Sequence, residues 1–248
     1  MDANNTGSKP LIGTLFSLGN TQVAEIISLA GFDWVLIDME HSVMSLKDVL
    51  GSVQASGERL LKIVRVPGND DIWIKRVLDT GCDGILVPMV KTAEEAARAV
   101  ASSKYPVEGQ RSIGITKAHH YGFKFQQYAE RANDELLIMI QIEHIDGVRN
   151  IDSILKTGGI GAIFIGPYDL SASMGFMGQP GHPEVRRSID LVKQKCREAN
   201  IDYGIFGGSP EALEGEIAGG CKYLLCGIDV AVISGMYGNM ASRLRALK

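Results

Sequence analysis

Two carboxylates stand at the ends of two successive apolar runs of this sequence. Glu143 closes the run LLIMIQIE, and Asp169 follows the run IFIG in the segment IFIGPYDLSAS. A buried carboxylate must be paired, hydrogen-bonded or bound to a metal, because an isolated buried charge is too costly to keep. Each acid alone could be a strand-end residue that backbone N–H groups or a lysine satisfy. Together they indicate an oxygen-rich site for a divalent cation such as Mg2+ or Mn2+, with Zn2+ less favoured.

Other polar residues end neighbouring apolar runs. Asp38, Glu40 and His41 follow the run WVLI, Arg65 closes the run LLKIV, and Gln141 lies in the same run as the first carboxylate. Arg65 can hold a carboxylate or neutralise an oxyanion, and an aspartate beside His41 can raise the basicity of the imidazole for proton transfer. Arg65 could instead be a structural ion-pair partner, and His41 a satisfied core residue. A metal with open positions could bind a 2-oxo acid and stabilise its enolate.

Eight short apolar runs alternate with amphipathic helical stretches along the chain. That alternation is typical of βα units around a parallel sheet, whose strands are buried on both faces. Because no Pro/Ser-rich or charged linker interrupts the series, we predict one domain over residues 1–248. Eight units in this length predict an α/β fold, a closed (β/α)8 TIM barrel, with a doubly wound open sheet as the alternative. The predicted strands are LIGTLFS from Leu11, WVLID from Trp34, LLKIVRV from Leu60, GILVP from Gly84, LLIMIQI from Leu136, AIFIG from Ala162, DYGIF from Asp202 and YLLCG from Tyr223.

A barrel of this kind carries its active site at the carboxyl ends of the strands. The polar residues described above fall at that end. The competing enolate chemistry uses a Schiff-base lysine, and Lys62 is the lysine well inside a predicted strand. Lys62 lies an odd number of residues from Arg65, hence on the opposite face of the strand, and we discount it. The turn SLGNTQ after the first strand does not match the G-x-G-x-x-G pattern, so dinucleotide binding has weak support.

The composition limits the partners and the compartment. The formal net charge of -4 argues against a general affinity for nucleic acid, and we expect a small-molecule partner. The four cysteines form no C-x-x-C pair, which suits reduced thiols in a cytoplasm. The polar start MDANNTGSKP has no apolar segment of a signal peptide, and no apolar run is long enough to span a bilayer. We therefore expect a soluble cytoplasmic protein without a membrane partner.

The longest irregular segment runs from about Ser103 to Asn133, between the fourth and fifth predicted strands. Long loops in compact domains are usually functional. His119 and His120 lie in this segment, and the sequence does not assign a role to either of them.

Long ordered motifs of the chain resemble the metal-dependent pyruvate aldolases of the HpcH/HpaI family, which are class II aldolases. The resemblance covers the chain from about Ile12 through the last strand. It implies a TIM barrel of the phosphoenolpyruvate/pyruvate type. The motifs that carry it are DWVLIDMEHS, VRVPGND, GCDGILVPMV, GQRSIG, IMIQIEHIDGVRNIDSIL and IFIGPYDLSASMGFMGQPGHPEV.

The resemblance assigns roles to the strand-end residues. Glu143 and Asp169 match the two metal-binding carboxylates of the family, and Arg65 matches its pyruvate-binding and enolate-stabilising arginine. His41 with Asp38 matches the proton-transfer pair. The expected cofactor is a divalent metal, Mg2+ or Mn2+ before Co2+ or Zn2+, and no organic cofactor is expected.

Further residues receive substrate-side roles from the same resemblance. Gln141 corresponds to a residue near the metal and substrate oxygens, Glu40 to a neighbour of the metal-bound water, and the backbone around Gly166 and Tyr168 to the pyruvate carboxylate site. The long irregular segment is expected to approach the aldehyde half of the substrate. Arg111, in the motif GQRSIG, is expected to order that segment.

The activity implied is reversible cleavage of a 4-hydroxy-2-oxo acid to pyruvate and an aldehyde through a metal-stabilised pyruvate enolate. His41, acting through a water, would take the proton of the 4-hydroxyl group. Oxaloacetate decarboxylation at the same site is one alternative, and a catalytically silent 2-oxo acid binding protein is another. The resemblance also implies a homohexamer built as a trimer of dimers, in which the C-terminal helix, about residues 230–247, is exchanged between subunits. A cap within one subunit fits that helix as well.

Overall fold

A computed structural model of the protein describes residues 9–247. Within these residues, all eight predicted strands are confirmed, and every strand end lies within one residue of its predicted position. The strands are β1 (Leu11–Phe16), β2 (Trp34–Asp38), β3 (Leu61–Arg65), β4 (Gly84–Val87), β5 (Leu137–Ile142), β6 (Ala162–Ile165), β7 (Asp202–Gly207) and β8 (Tyr223–Ile228).

The eight strands form a closed parallel barrel in chain order, because β8 pairs with β1. The predicted (β/α)8 architecture is confirmed and the open-sheet alternative is wrong. Side chains of each strand alternate between the barrel interior and the surrounding helices, so both faces are buried and the strands read as continuous apolar runs.

Helices connect consecutive strands and cover the outside of the barrel. Ser45 begins the second helix with a capping box, in which its side chain and that of Asp48 each bond the backbone N–H of the other residue. The helices of the described residues are α1 (Thr21–Leu29), α2 (Leu46–Ser56), α3 (Asp71–Leu78), α4 (Ala93–Ser103), α5 (Phe125–Glu135), α6 (Ile145–Arg149), α7 (Ile151–Ile154), α8 (Pro167–Ser173), α9 (Pro183–Glu198), α10 (Glu214–Ala218) and α11 (Asp229–Arg245).

The segment predicted to be irregular between β4 and β5 contains regular structure. It holds α5 and a short 3-10 helix at Lys117–Gly122. The sequence did not indicate α5 because that helix buries one residue, Ala132, and so has almost no apolar stripe. Arg111 orders the segment as expected, since its buried guanidinium bonds Asp79 at 2.9 Å and the Tyr128 hydroxyl at 3.2 Å.

The barrel interior is packed with large apolar side chains. Trp34 is fully buried there, and its ring makes edge contacts with Phe164 and Tyr223. Gly13 on the adjacent strand makes room for it, because a Cβ at that position would lie 2.4 Å from the indole. This packing fills the barrel as far as the carboxyl ends of the strands, where a cavity begins.

The last helix, α11, leaves the barrel. Its first residue, Asp229, is buried, and the carboxylate accepts hydrogen bonds from Ser17 and Leu18 at the end of β1. Every other described residue of α11 is exposed, including the apolar side chains of Met236 and Met240. The helix therefore presents apolar surface that its own barrel does not cover.

The polar start of the chain, for which the sequence predicts no signal segment, falls mostly on residues 1–8 and lies outside the described residues. Between residues 9 and 247, no helix is both long and apolar enough to cross a membrane.

Candidate active site

A cavity of about 150 Å3 opens at the carboxyl ends of the barrel strands. Six of the eight residues that the sequence predicts as catalytic, substrate-binding or metal-binding line this cavity. They are His41, Arg65, Gln141, Gly166, Tyr168 and Asp169. The other two, Asp38 and Glu143, lie directly behind the lining, in hydrogen-bond contact with Arg65 and Gln141 respectively.

Asp38 and Arg65 occupy paired positions at the ends of β2 and β3. The carboxylate accepts two hydrogen bonds from the guanidinium, from Nε at 2.8 Å and from Nη2 at 2.7 Å, and both residues are buried. Glu40 approaches the same guanidinium, with Oε2 3.2 Å from Nη1, although its angle does not make a hydrogen bond. Burial opposes the charge of Arg65, but these carboxylates outweigh it and raise the arginine pKa further.

His41 lies at the rim of the cavity, and its side chain is 62% exposed. The predicted pairing of Asp38 with the His41 ring is not formed in the described structure. The Asp38 carboxylate is turned to Arg65 and meets His41 through the backbone N–H, at 3.4 Å. The carboxylate beside the imidazole is Glu40, whose Oε2 lies 3.7 Å from Nε2. Strand register decides this difference, because it places the arginine directly opposite Asp38.

Glu143 is held from two sides. The backbone N–H of Met89 donates to Oε1 at 2.7 Å, and the Gln141 amide donates to Oε2 at 2.5 Å. The pKa of Glu143 is raised to about 7, chiefly by burial and also by the negative charges of Glu40 and Asp169, against the opposing effects of the Met89 hydrogen bond and Arg65. The carboxylate therefore has a fixed orientation and a surplus of negative charge around it.

Met89 was not predicted as a site residue. Its backbone lies in the left-handed region, with a φ of 56°, and this conformation turns the N–H group toward Glu143. A left-handed backbone conformation is strained for residues other than glycine, and residues in such conformations are concentrated at functional sites. No pattern in the sequence signals this contact, since it depends on a backbone conformation and on a residue 54 positions away.

Gly166 permits the close packing of the site. A Cβ at this position would lie 2.8 Å from the Cβ and Oε2 atoms of Glu143 and 3.0 Å from the Gln141 amide nitrogen. Gln141 itself is buried, and its Oε1 atom has no hydrogen-bond partner in the described structure. An orphaned acceptor at a cavity wall is a position where a bound molecule can donate a hydrogen bond.

Tyr168 and Asp169 lie in the first turn of α8, directly after Gly166. Pro167 occupies the first helical position, which its fixed φ favours. Asp169 is exposed to the cavity, and its charge raises the pKa of both Glu40 and Glu143. Tyr168 is 49% exposed, and its ring stands 6.1 Å from that of Phe206.

The donor set fits a hard divalent cation. In the described part of the chain, no three His, Cys, Asp or Glu side chains converge as a ready metal cluster. Two carboxylates are sufficient for Mg2+ or Mn2+, which fill their remaining positions with water or substrate oxygens. Glu143 and Asp169 could supply these carboxylates, and Oε2 of Glu40, which makes no hydrogen bond but lies 3.2 Å from Arg65 Nη1, is a further acceptor near them. A positive ion would relieve the mutual repulsion of these acids.

The irregular segment between β4 and β5 does not approach this cavity within its own chain. Its 3-10 helix packs at the amino ends of the strands, where Ala118 lies next to Gly81. His119 is buried against Phe125, and His120 is exposed beside a separate cavity of about 480 Å3 at that end of the barrel. The expected contact with an aldehyde is therefore wrong for a single chain.

Lys62 also lies at this end, bonded to Gly57 and Asp83, as its strand position predicts.

Comparison with known proteins gives matches over nearly the whole chain. A family model described as HpcH/HpaI aldolase/citrate lyase matches residues 13–234. A 4-hydroxy-2-oxo-heptane-1,7-dioate aldolase from Salmonella dublin is 36% identical over 250 residues, which cover 100% of this chain and 94% of that protein. Among solved structures, an HpcH/HpaI aldolase/citrate lyase family protein from Burkholderia cenocepacia J2315 has a TM-score of 0.92 at 30% identity, covering 97% of this chain and 96% of that chain. An HpcH/HpaI aldolase from Desulfitobacterium hafniense DCB-2 has a TM-score of 0.90 at 29% identity, and the match covers 96% of this chain and 93% of that chain.

Proposed function

The chain belongs to the HpcH/HpaI aldolase/citrate lyase family and is an aldolase, and we propose that it cleaves a 4-hydroxy-2-oxo acid reversibly to pyruvate and an aldehyde at this cavity. The observation that carries the proposal is the convergence of Arg65, His41 and Asp169 on the lining of one cavity at the carboxyl ends of the strands, with Glu143 directly behind it. Cleavage breaks the bond between C3 and C4 of the substrate. The 4-hydroxyl group loses its proton and becomes the aldehyde, while C3 keeps the electron pair and is later protonated to pyruvate.

Glu143 and Asp169 would hold the divalent cation on which this family generally depends, with Mg2+ or Mn2+ best suited to their oxygen donors. When bound, the cation supplies Lewis-acid stabilisation of the negative charge that develops on the 2-oxo group. The support for this assignment is the crowding of acids, because Asp169 and Glu40 both raise the pKa of Glu143.

Arg65 binds the 2-oxo acid end of the substrate. Two of its five N–H groups are occupied by Asp38, so three remain to bond a carboxylate or an oxyanion in the cavity. The bidentate contact with Asp38 fixes the plane of the guanidinium before substrate arrives, and such preorganised donors stabilise developing charge efficiently. Asp38 is therefore a positioning residue in this proposal.

His41 accepts the proton of the 4-hydroxyl group in the cleavage direction and returns it in the addition direction. Its exposed ring at the rim can reach a substrate or a bridging water, and the Glu40 carboxylate lies 3.7 Å from its Nε2 atom. Gln141 and the backbone around Gly166 and Tyr168 position the substrate oxygens. The buried Oε1 atom of Gln141, which has no hydrogen-bond partner in the described structure, supports this role.

The test is pyruvate release from a panel of 4-hydroxy-2-oxo acids by chelated protein, with and without added Mg2+ or Mn2+. Glu143→Ala and Asp169→Ala proteins should lose the metal-dependent release and also bind Mn2+ more weakly in a direct titration. Asp134→Asn, an exposed acid on α5, is the matched control and should behave as the natural chain. Full lyase activity in both site variants would overturn the proposal.

We also propose that α11 packs on a second copy of the chain. The helix leaves its own barrel after Asp229, and Ile233, Met236, Met240 and Leu244 recur at helical spacing with exposed side chains. An exchanged helix in a homohexamer, a trimer of dimers, would cover this apolar surface. The proposed compartment is the cytoplasm, in keeping with four cysteines that form no disulfide in the described structure.

A further inference from the structure

A short turn over residues 89–91 follows β4 and carries the N–H group that bonds Glu143. Met89 opens this turn in the left-handed conformation, which is strained for a residue with a side chain. Its side chain is 42% exposed, so its own packing does little to hold the backbone there. A strained conformation persists only where the surrounding structure maintains it. The contacts that hold the 89–91 turn therefore also decide where its N–H group points.

Lys91 is held through both of its backbone polar groups. Its N–H group donates to the Glu95 carboxylate at 2.6 Å, and its carbonyl oxygen accepts from the Asn150 amide at 2.8 Å. Glu95 belongs to α4, the helix that follows the turn, and Asn150 lies between α6 and α7. The two bonds fix the turn to the next helix along the chain and to the neighbouring βα unit.

The bond from Asn150 is not a local helix contact. Asn150 directly precedes α7, where an asparagine side chain ordinarily accepts a hydrogen bond from an N–H group of its own helix. No such bond is formed in the described structure, and the amide instead donates to a carbonyl 59 positions earlier in the chain. The side chain therefore holds the 89–91 turn and does not cap the helix that it precedes.

The turn also lies directly against α6. Gly147 approaches the Val90 carbonyl so closely that a Cβ on the glycine would lie 2.9 Å from the carbonyl oxygen. Because α6 follows β5, Glu143 and the helix that supports the turn belong to the same βα unit. The contacts form a closed circuit, which runs from Glu143 through α6 and Asn150 to the turn and returns through the Met89 N–H group to the carboxylate.

We propose that Asn150 is a positioning residue for Glu143. By holding the Lys91 carbonyl, it keeps Met89 in the left-handed conformation, and the Met89 N–H group then fixes Oε1 of the carboxylate in the orientation that a divalent cation requires. The inference rests on the metal site of the proposed function and adds a residue that touches neither the cation nor the substrate. Removal of a group that orients a metal ligand from behind typically weakens metal binding by roughly 10–100-fold.

The first experiment is a direct titration of chelated protein with Mn2+. Asn150→Ala should weaken Mn2+ binding by about tenfold or more and lower kcat with it. Asn133→Ala is the matched control, because the Asn133 amide also donates to a backbone carbonyl, that of Tyr105, at 3.1 Å, in the segment between β4 and β5. Both variants should unfold at lower urea concentration than the natural chain, but the control should keep the natural Mn2+ affinity.

A second pair of variants separates the positioning role from a general loss of stability. Glycine adopts the left-handed conformation without strain, so Met89→Gly added to Asn150→Ala should raise Mn2+ affinity by at least about threefold over Asn150→Ala alone. Met89→Ala in the same background removes the same side chain but keeps the strain, and it should restore nothing.

Three results would contradict the inference or its basis. Natural Mn2+ affinity in Asn150→Ala, with binding lost in Glu143→Ala, would overturn the inference and leave the proposed function intact. Recovery with neither glycine nor alanine at position 89, or equal recovery with both, would also overturn it, because the left-handed backbone would then not be what Asn150 maintains. Natural Mn2+ affinity in Glu143→Ala would instead overturn the proposed metal site, and this inference with it.

Discussion

Asp38 and Arg65 form a buried pair with two parallel hydrogen bonds, at 2.8 and 2.7 Å, between the ends of neighbouring strands. The pair holds the guanidinium of Arg65, which faces the cavity, in one orientation. It also occupies the carboxylate of Asp38, which the sequence analysis expected to pair with His41. Under the proposed function, folding and substrate binding therefore depend on the same contact.

Asp38→Ala should lower the free energy of unfolding by about 3–5 kcal/mol, because it leaves a buried guanidinium without its main counter-charge. Urea unfolding measures this loss, and steady-state kinetics should show a raised KM for the 2-oxo acid as Arg65 loses its orientation. Asp79→Ala is the control, since it removes the carboxylate bonded to the buried Arg111 far from the cavity. That protein should be destabilised with an unchanged KM, and an equal rise of KM in both would argue against a positioning role for Asp38.

Arg65→Lys should reduce kcat by about 10²–10³-fold, the usual effect of removing one donor to a developing oxyanion. Lysine keeps the positive charge but cannot bond Asp38 with two parallel donors and still present N–H groups to the substrate. Lys62→Arg, at the opposite end of the same strand, controls for the change between these two residue types. A lysine variant with natural kcat would show that charge alone is sufficient.

Much of the scaffold could be predicted from sequence because parallel barrel strands are buried on both faces and end where polar residues begin. That rule selected Glu143, Asp169 and Arg65, which the structure places on the cavity lining or directly behind it. The partner of Asp38 was predicted wrongly. His41 lies three residues away in the sequence and was therefore expected to pair with Asp38, but the register of β2 and β3 places Arg65 directly opposite the aspartate. Contacts that depend on backbone conformation, such as the N–H of Met89 on Glu143, leave no residue pattern.

The pH dependence of stability should reveal the raised pKa of Glu143. The folded chain holds this proton up to a pKa of about 7, whereas the ordinary value is 4.5, so the folded state binds more protons between these limits. The contribution of Glu143 to the free energy of unfolding should therefore fall as the pH rises from about 4.5 to about 7 and stay constant above that range.

Urea unfolding of the chelated protein at a series of pH values measures this slope, and Glu143→Gln should flatten it. Mg2+ should restore stability mainly above pH 7, where the ionised carboxylate is available as a ligand. If the glutamine variant kept the full slope, the proton would belong to another group.

Gly166→Ala should impair the site without unfolding the chain. The backbone there has a φ of −101°, which alanine tolerates, so the cost is the contact of a new Cβ with Glu143 at 2.8 Å and with Gln141 at 3.0 Å. Mn2+ affinity, measured by titration, and kcat should each fall by about tenfold or more, since site geometry tolerates only small displacements. Gly158→Ala, where a Cβ meets nothing within 4 Å, should leave both unchanged. If the Gly166→Ala protein bound Mn2+ with the affinity of the natural chain, the close packing at Gly166 would not be required for metal binding.

The apolar face of α11 predicts the effect of charge on assembly. Met236→Glu with Met240→Glu should reduce the molar mass measured by light scattering, because buried unpaired carboxylates would oppose packing of the helix on a second copy. Helix content should be retained, since glutamate is a good helix former. Leu191→Glu, which places a charge at an exposed apolar position on α9, is the matched control and should leave the mass unchanged. An unaltered mass in the double variant would assign the contact between copies to a surface other than α11.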